Sequence, residues 1–285
     1  MDYNTQLEML IRHALAEDVG DGDHSTLCCI NKEARGKAVL KVKQDGILAG
    51  MQVAKNIFNF VEPGIVFSPL MNDGDTMKYG DTAFFVEGRV HTILQAERLV
   101  LNTMQRMSGI ATLTKKYTDK LIGFKTRLLD TRKTTPNFRL LEKEAVRIGG
   151  AMNHRFGLFD MIMLKDNHID YCGGIEKAIE LAYTYVQGSH KHLKIEIETR
   201  SLDDVKRVLA FGKVDRIMLD NFKPALITEA LALINGSYET EASGGINFEN
   251  IQEYAATGVD FISSGAIIHQ AVNLDLSLKA EIIKD

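Results

Sequence analysis

The spacing of hydrophobic residues divides the chain into two stretches with different patterns. Near the start, apolar residues recur every three or four positions and predict a helix that ends at Gly20–Gly22: they are Leu7, Leu10, Ile11, Ala14 and Leu15. Between residues 34 and 90, short alternating runs are separated by glycine turns and interrupted by one helical segment at 53–60. These elements predict a small α+β domain.

A long helical pattern over residues 93–121 leads out of this first region. The pair Ser108-Gly109 is the predicted break in that helix, because small residues weaken a helix interior. We therefore expect an N-terminal α+β domain over residues 1–109 and a second domain over residues 110–285.

After Gly123 the pattern becomes a repeated unit of one apolar run and one helix-length segment. Six runs end at polar residues: Asp130, Lys165, Glu198, Asp220, Ser243 and Ser264. The last four ends are 22, 23 and 21 residues apart, enough for one strand and one crossover helix each time. Such strands form a (β/α) barrel or a doubly wound sheet, and both place their chemistry at the carboxyl ends of the strands. The small-residue turns ASGGI and SSGAI, and the lack of GxGxxG after any run, favour a barrel.

Composition indicates an ordinary globular protein. Of 285 residues, 45% are hydrophobic and 25% charged, which excludes disordered and low-complexity classes. A net charge of -4 argues against a nucleic-acid or polybasic membrane surface. The start lacks the order of a signal peptide, no apolar run approaches the roughly 18 residues of a membrane span, and the three cysteines form no CxxC pair. We expect a cytoplasmic protein.

Basic residues are concentrated between Lys125 and Lys165, a segment that contains nine lysines and arginines but only four acidic residues. For Lys143 and Arg147 a solvated helix face and a functional role are equally open interpretations. Arg132-Lys133 and His154-Arg155 instead lie in loops beside strands, where they can converge on phosphate or carboxylate groups. Lys165 ends an apolar run and should project from the barrel rim.

Carboxylates end the neighbouring strands. Glu196 and Glu198 alternate with isoleucines and so share one face, which is either wet, as in a half-exposed strand, or functional. With Asp220, they suit ribose hydroxyls or Mg²⁺. The two small-residue turns can close backbone N–H groups on a phosphate. Together these features predict a site that binds a phosphorylated sugar and a second, acidic molecule.

Several motifs resemble the quinolinate phosphoribosyltransferase family: DTRKTTP at 130–136, LLEKEAVRIGGAMNHRFGLFDMIMLKDNHI at 140–169, LDN at 219–221 and EASGGI at 241–246. The similarity extends over nearly the whole chain. It implies an N-terminal α/β sandwich domain, on which the last residues of the chain pack back, and an open, incomplete α/β barrel. It also implies a homodimer with shared active sites, or a hexamer. The implied reaction joins quinolinate to phosphoribosyl pyrophosphate with Mg²⁺, giving nicotinate mononucleotide, pyrophosphate and CO₂ in de novo NAD synthesis.

The resemblance also implies roles for particular residues. The quinolinate carboxylates would be held by Arg132, His154, Arg155 and, from the other subunit, Arg98. Lys133 and Lys165 would face the charges of both substrates near the pyrophosphate, and Glu198 and Asp220 would meet ribose hydroxyls or Mg²⁺. The phosphate would be held by Ser243, Gly244, Ser264, Gly265 and His269.

Two other functions remain as alternatives. A barrel aldolase would use Lys165 as a Schiff-base amine, which borohydride trapping would reveal. A non-catalytic barrel would bind a phosphorylated ligand without turning it over, although strand-end acids would then repel that ligand. Release of CO₂ from quinolinate separates both from a transferase.

Overall fold

A computed structural model describes residues 2–188 and 192–281. The helices in chain order are α1 (Tyr3–Val19), α2 (His24–Cys29), α3 (Met51–Val61), α4 (Val90–Lys120), α5 (Arg139–Ile148), α6 (Asp166–Cys172), α7 (Ile175–Gly188), α8 (Leu202–Phe211), α9 (Pro224–Ile234), α10 (Ile251–Ala255) and α11 (Ala266–His269). The strands are β1 (Arg35–Val42), β2 (Gly46–Ile47), β3 (Val66–Pro69), β4 (Thr76–Met77), β5 (Thr82–Arg89), β6 (Arg127–Leu129), β7 (Ile162–Leu164), β8 (Ile195–Thr199), β9 (Arg216–Asp220), β10 (Glu239–Ser243), β11 (Phe261–Ser263) and β12 (Leu276–Glu281).

The first of two compact units contains the described residues of Met1–Lys115, Thr134–Gly150 and Ile268–Asp285. Its four-stranded antiparallel sheet has the order β12-β1-β5-β3. Leu40 of β1 is fully buried, and it pairs with Leu278 of β12 on one side and Phe84 of β5 on the other. The predicted α+β architecture of this region is confirmed.

Helix α4 is continuous over 31 residues, so the predicted break at Ser108-Gly109 is wrong. The glycine serves a close approach of two main-chain segments. A Cβ added to Gly109 would lie 2.2 Å from the carbonyl oxygen of Val272. The proposed boundary between residues 109 and 110 falls inside this helix, and the first compact unit extends to Lys115.

In helix α5 the two basic residues Lys143 and Arg147 differ in their exposure to solvent. Lys143 is buried, which contradicts a solvated position, whereas Arg147 is exposed as a surface cation. Glu142 is also buried in this helix, and its Oε1 accepts hydrogen bonds from Nε and Nη2 of Arg106 at 2.9 and 2.8 Å. The charge of Glu142 is therefore compensated within its own unit.

The second unit comprises Lys116–Lys133 and Ala151–Ile267. Its six parallel strands lie in the order β7-β8-β9-β10-β11-β6. This is the sequential order of a barrel, without the central reversal of a doubly wound sheet. No ladder joins β6 to β7 within the described ranges, so the barrel is open. All six predicted strand ends are confirmed to within one residue.

The register of these strands fixes which side chains share a level. All five residues of β8 are buried, so the interpretation that Glu196 and Glu198 lie on a solvent-exposed face is wrong. Glu196 pairs with Arg216 at the start of β9, and Ser243 pairs with Asp220 at its end. In the part of the chain that is described, no helix is both long and apolar enough to span a bilayer.

Candidate active site

Two acids and a lysine share the carboxyl ends of β7, β8 and β9. Burial and the negative charge of Asp220 raise the pKa of Glu198 to about 7, while the positive charge of Lys165 opposes this shift. Oε2 of Glu198 is buried, and no donor among residues 2–188 and 192–281 reaches it. A buried acceptor without a partner is costly, so this edge is suited to a hydroxyl or cation supplied by a ligand.

A hydrogen bond connects the residue after β9 to the last residue of β10. The Asn221 amide N–H donates to the Ser243 carbonyl at 2.8 Å, and Asn221 Nδ2 donates to Asp220 Oδ2 at 2.6 Å. Asn221 and Gly244 have φ angles of 58° and 91°, which non-glycine residues other than Asn rarely adopt. Sequence reasoning missed Asn221 as a site residue, although it is the last letter of the LDN motif.

Hydrogen bonds to neighbouring carbonyls hold the SSGAI turn at residues 263–267 in place. Ser264 and Gly265 are buried, the Ser264 Oγ donates to the Ile246 carbonyl at 2.9 Å, and its N–H donates to the Leu129 carbonyl at 3.1 Å. Both polar groups of this serine therefore stabilise the barrel wall. Its predicted phosphate contact stays a prediction, as do those of Ser243, Gly244, Gly265 and His269.

Two arginines, in the loops that follow β6 and precede β7, interact electrostatically. Burial and the positive charge of Arg132 lower the pKa of Arg155. Arg155 is half-buried, its Nη1 donates to the Met161 carbonyl at 3.2 Å, and Arg132 and Lys133 are exposed. Within the described chain no carboxylate lies within 4.0 Å of either guanidinium. Their charges are available to an anionic ligand.

His154 precedes Arg155 in the same loop and is buried, with 5% of its side chain exposed. Its Nε2 lies 3.0 Å from Glu196 Oε2 and 3.4 Å from Glu241 Oε2. Its Nδ1 accepts a hydrogen bond from the Arg155 main-chain N–H at 2.6 Å. Both ring nitrogens thus face protein groups, and sequence reasoning missed Glu241, which alternation places on the same face as Ser243.

The two buried glutamates change the acid–base properties of the His154 ring. Burial lowers the pKa of His154, but hydrogen bonds and charges of Glu196 and Glu241 outweigh it and raise that pKa to about 9. Burial and the charge of Glu241 raise the pKa of Glu196 to about 7. The negative charge of the two glutamates thus favours a proton on Nε2, the ring nitrogen that faces them.

The predicted site residues fall into both compact units. The second unit contains Arg132, Lys133, His154, Arg155, Lys165, Glu198, Asp220, Ser243, Gly244, Ser264 and Gly265. Arg98 and His269 belong to the first unit, and both are exposed. The Arg98 side chain is 69% exposed, and its nearest acid is Glu97, at 4.0 Å from Nη2.

A cavity lies away from these residues, at the opposite ends of the strands. It has a volume of about 680 Å³ and is lined by residues at the starts of β6, β10 and β11. Its lysines are paired, because Lys125 contacts Asp260 at 3.2 Å and Lys194 contacts Glu239 at 3.5 Å. In a parallel barrel, chemistry belongs at the other end, and we do not assign this cavity to the active site.

Comparison with known proteins covers both parts of the chain. Residues 23–108 match the quinolinate phosphoribosyl transferase N-terminal domain, and residues 110–279 match the C-terminal domain of the same family. The quinolinate phosphoribosyltransferase [decarboxylating] 1b of Nicotiana tabacum is 43% identical over 96% of this chain and 82% of its own length.

Prokaryotic relatives agree. The probable nicotinate-nucleotide pyrophosphorylase [carboxylating] of Synechocystis is 41% identical over 93% of this chain and 89% of its own. The crystal structure of NadC from Streptococcus pyogenes matches with a TM-score of 0.90 and 39% identity, covering 96% of each chain. With both of its domains matched, this chain belongs to the quinolinate phosphoribosyltransferase family.

Proposed function

We propose that this chain uses the strand-end site to carry out its family's reaction, the transfer of phosphoribosyl from phosphoribosyl pyrophosphate to quinolinate with decarboxylation. The products are nicotinate mononucleotide, pyrophosphate and CO₂. The observation that supports this use of the site is the presence, in one compact unit, of two neighbouring guanidiniums and of two carboxylates at adjacent strand ends. Neither an aldolase nor a non-catalytic binding protein needs this division of charge.

The guanidinium side suits quinolinate. Arg132 and Arg155 each offer a planar fork of donors, and no described carboxylate occupies either one. We assign them to the two ring carboxylates, with Arg98 completing the set from the other subunit. Arg98 is exposed and, among the described residues, its one acidic partner is Glu97 at 4.0 Å, so its guanidinium can reach a second chain. The active enzyme is then a homodimer with shared sites.

The carboxylate side suits the phosphoribosyl group. Glu198 and Asp220 can accept from ribose hydroxyls, and the glycines after Ser243 can present N–H groups to a phosphate. Mg²⁺ prefers oxygen ligands and is bound through one or two carboxylates plus substrate phosphates. The unpartnered Oε2 of Glu198 beside Asp220 fits that requirement. When bound, the ion would supply positive charge to the pyrophosphate.

The chain's own residues then promote two steps. Lys133 and Lys165 neutralise charge that develops on the departing pyrophosphate while the quinolinate nitrogen bonds to the anomeric carbon. The nitrogen becomes positively charged, so the adjacent carboxylate can leave as CO₂ and its electron pair remains on the ring carbon, which takes up a proton. Arg132 and Arg155 contribute by holding the ring in place, since decarboxylation needs orientation more than acid–base help.

We also propose a cytoplasmic, reducing location. Cys28 and Cys29 are exposed free thiols in adjacent positions, an arrangement that would be prone to oxidation outside such a compartment.

The test is release of labelled CO₂ from carboxyl-labelled quinolinate by the purified chain. We expect release that depends on phosphoribosyl pyrophosphate and Mg²⁺, with nicotinate mononucleotide formed in equal amount. Nicotinate, which lacks the second carboxylate, is the matched control substrate and should not be turned over. Turnover of nicotinate at a rate equal to that of quinolinate would contradict the assignment of two guanidiniums to two carboxylates.

A further inference from the structure

Helix α6 begins directly after Lys165 and has little apolar surface to hold it in place. It is seven residues long, and of these described residues Ile169 alone is buried. A helix this short is not stable by itself in water. Its position, and with it the position of the Lys165 main chain, therefore depends on polar contacts with neighbouring elements.

Lys165 is fixed to the first turn of this helix by a hydrogen bond. It is the N-cap residue of α6, and its main-chain N–H donates to Nδ1 of His168 at 3.0 Å. This is the backbone half of a capping box, in which the third helical residue accepts from the N-cap N–H. A displacement of α6 would therefore displace the main chain of Lys165 as well.

An ion pair joins α6 to the end of β8. Arg200, the residue that follows β8, donates from Nη1 to Asp170 Oδ2 at 3.1 Å and from Nη2 to Asp170 Oδ1 at 2.9 Å. Two parallel bonds between a guanidinium and a carboxylate fix orientation as well as distance. Both side chains are partly exposed, but a bidentate pair is the kind of surface ion pair that can contribute measurably.

Arg200 itself extends from a main chain that the barrel holds. Its main-chain N–H donates to Asp204 Oδ2 in α8 at 2.9 Å. The preceding residue, Thr199, is buried, and its Oγ1 donates to the Met218 carbonyl of β9 at 2.8 Å. The guanidinium therefore has a fixed origin, and its contact with Asp170 transmits that position to α6.

The ion pair links the segments that carry two groups of the proposed site. Lys165 directly precedes α6, and Glu198 lies on β8 two residues before Arg200. Burial and the charge of Asp220 raise the pKa of Glu198, and the positive charge of Lys165 opposes that shift. Lys165 and Glu198 thus interact, and their relative placement depends on how α6 is held against β8.

We propose that Arg200 and Asp170 are positioning residues: their ion pair holds α6 against the end of β8 and so keeps the Lys165 ammonium beside Glu198, where it can meet the departing pyrophosphate. This inference rests on the role of Lys165 in the proposed function. It assigns no contact with substrate to Arg200 or to Asp170.

The first test compares Arg200→Ala with Arg207→Ala. Arg207 forms a bidentate pair with Glu176 at 2.8 and 2.6 Å, and its side chain is 47% exposed, against 48% for Arg200. That pair joins α8 to α7, a longer helix with several buried residues of its own. We expect Arg200→Ala to lower kcat about fivefold at saturating substrates, which corresponds to about 1 kcal/mol, and Arg207→Ala to change it less than twofold. Equal effects would contradict the proposal.

The second test uses the opposite charges of the pair. Through charge alone, loss of a cation and loss of an anion near the site should change turnover of an anionic substrate in opposite directions. Positioning predicts the same direction, so Asp170→Asn should lower kcat about as much as Arg200→Ala. The double variant should lower it no further than either single variant. Opposite changes in the two single variants would overturn the positioning role. Asp170→Asn also replaces Arg200→Ala in the first test if the latter fails to fold.

A third measurement determines whether the pair acts through Lys165. In a Lys165→Ala background the ammonium is absent, so adding Arg200→Ala should lower the remaining kcat less than twofold. Release of labelled CO₂ is sensitive enough to follow the slow variants. A general structural role would lower kcat by the same factor of about five in both backgrounds, and that result would overturn the inference.

These measurements separate the inference from the proposed function on which it rests. If Lys165→Ala retains wild-type kcat, the proposed role of Lys165 is wrong, and the positioning role is lost with it. If Lys165→Ala lowers kcat but Arg200→Ala and Asp170→Asn do not, the role of Lys165 stands and the positioning role is wrong.

Discussion

Gly244 and Asn221 approach so closely that no side chain fits between them: a Cβ on Gly244 would lie 2.2 Å from Asn221 Oδ1. The same glycine has a φ of 91°, which disfavours any other residue. Asn221 in turn bonds through Nδ2 to Asp220. The contact therefore couples the turn proposed to bind phosphate to a carboxylate proposed to meet ribose.

Gly244→Ala should accordingly damage both stability and substrate binding. We expect a loss of about 2–4 kcal/mol in the free energy of unfolding, since a backbone penalty and a steric clash combine. The matched control is Gly236→Ala, at φ 71° with no atom within 4 Å of an added Cβ, which should cost only about 1 kcal/mol. Urea denaturation of both variants provides the comparison, and equal losses would contradict the clash.

The raised pKa of Glu198 predicts proton release when phosphoribosyl pyrophosphate and Mg²⁺ bind. Below about pH 7 this carboxyl is largely protonated in the free protein, because burial and Asp220 disfavour its charge. Binding requires the ionised form, so affinity should rise with pH through about 7. Calorimetry in buffers of different ionisation enthalpy measures the protons released. Glu198→Gln should release fewer protons, by up to about one per site, and an equal release would contradict the assignment.

The raised pKa of Glu198 also makes the free energy of unfolding depend on pH. The folded pKa of Glu198, about 7, lies above the ordinary value of 4.5 for a free glutamate carboxyl. Between these values the folded chain binds more protons than the unfolded one, so stability contributed by this group is present at low pH and lost as pH rises to about 7. Asp220→Asn removes the neighbouring charge and should shift the loss to lower pH. Thermal unfolding in the absence of Mg²⁺, from pH 5 to 8, checks this.

Lys133 and Lys165 should matter for turnover and little for stability. Both are exposed, and substitutions at such positions usually change the free energy of unfolding by less than about 0.5 kcal/mol. An interaction with charge that develops in the transition state instead lowers kcat when it is removed. We expect Lys133→Ala or Lys165→Ala to reduce kcat at least tenfold at saturating substrates. The matched control is Lys125→Ala, an exposed lysine at the other end of the barrel, and wild-type kcat in either site variant would remove its assigned role.

The sequence predicts the layout of this fold better than its buried polar contacts. Six strand ends follow from alternating and apolar runs, because the burial of parallel strands dictates their composition. The shared face of Glu196 and Glu198 follows from strand periodicity, yet a single strand does not reveal that both are buried. The partners of His154 come from β8 and β10, far apart in the chain, and no local pattern encodes that convergence.

Glycine gives a similar lesson. A glycine inside a helical pattern usually indicates a break, yet Gly109 lies in a continuous helix. The Val272 carbonyl, which the returning chain brings close to Gly109, leaves no room for a side chain there. Lys143 likewise carries a charge typical of a surface but is buried. In both cases tertiary contact outweighs local propensity.

A shared active site can be tested by subunit mixing. Arg98→Ala removes the guanidinium that the partner would borrow, and Lys165→Ala removes a cation that each chain would supply to its own site. In a mixed dimer, one of the two sites then receives an intact Lys165 from one chain and an intact Arg98 from the other, while the second site lacks both. With equal, random mixing about half of the dimers are mixed, so about a quarter of all sites should recover. We expect CO₂ release at about that fraction of the wild-type rate, from parents that are each nearly inactive. Native mass spectrometry checks that mixed dimers form. If they form and show no activity above either parent, the shared site is wrong and Arg98 acts within its own chain or has no part in the reaction.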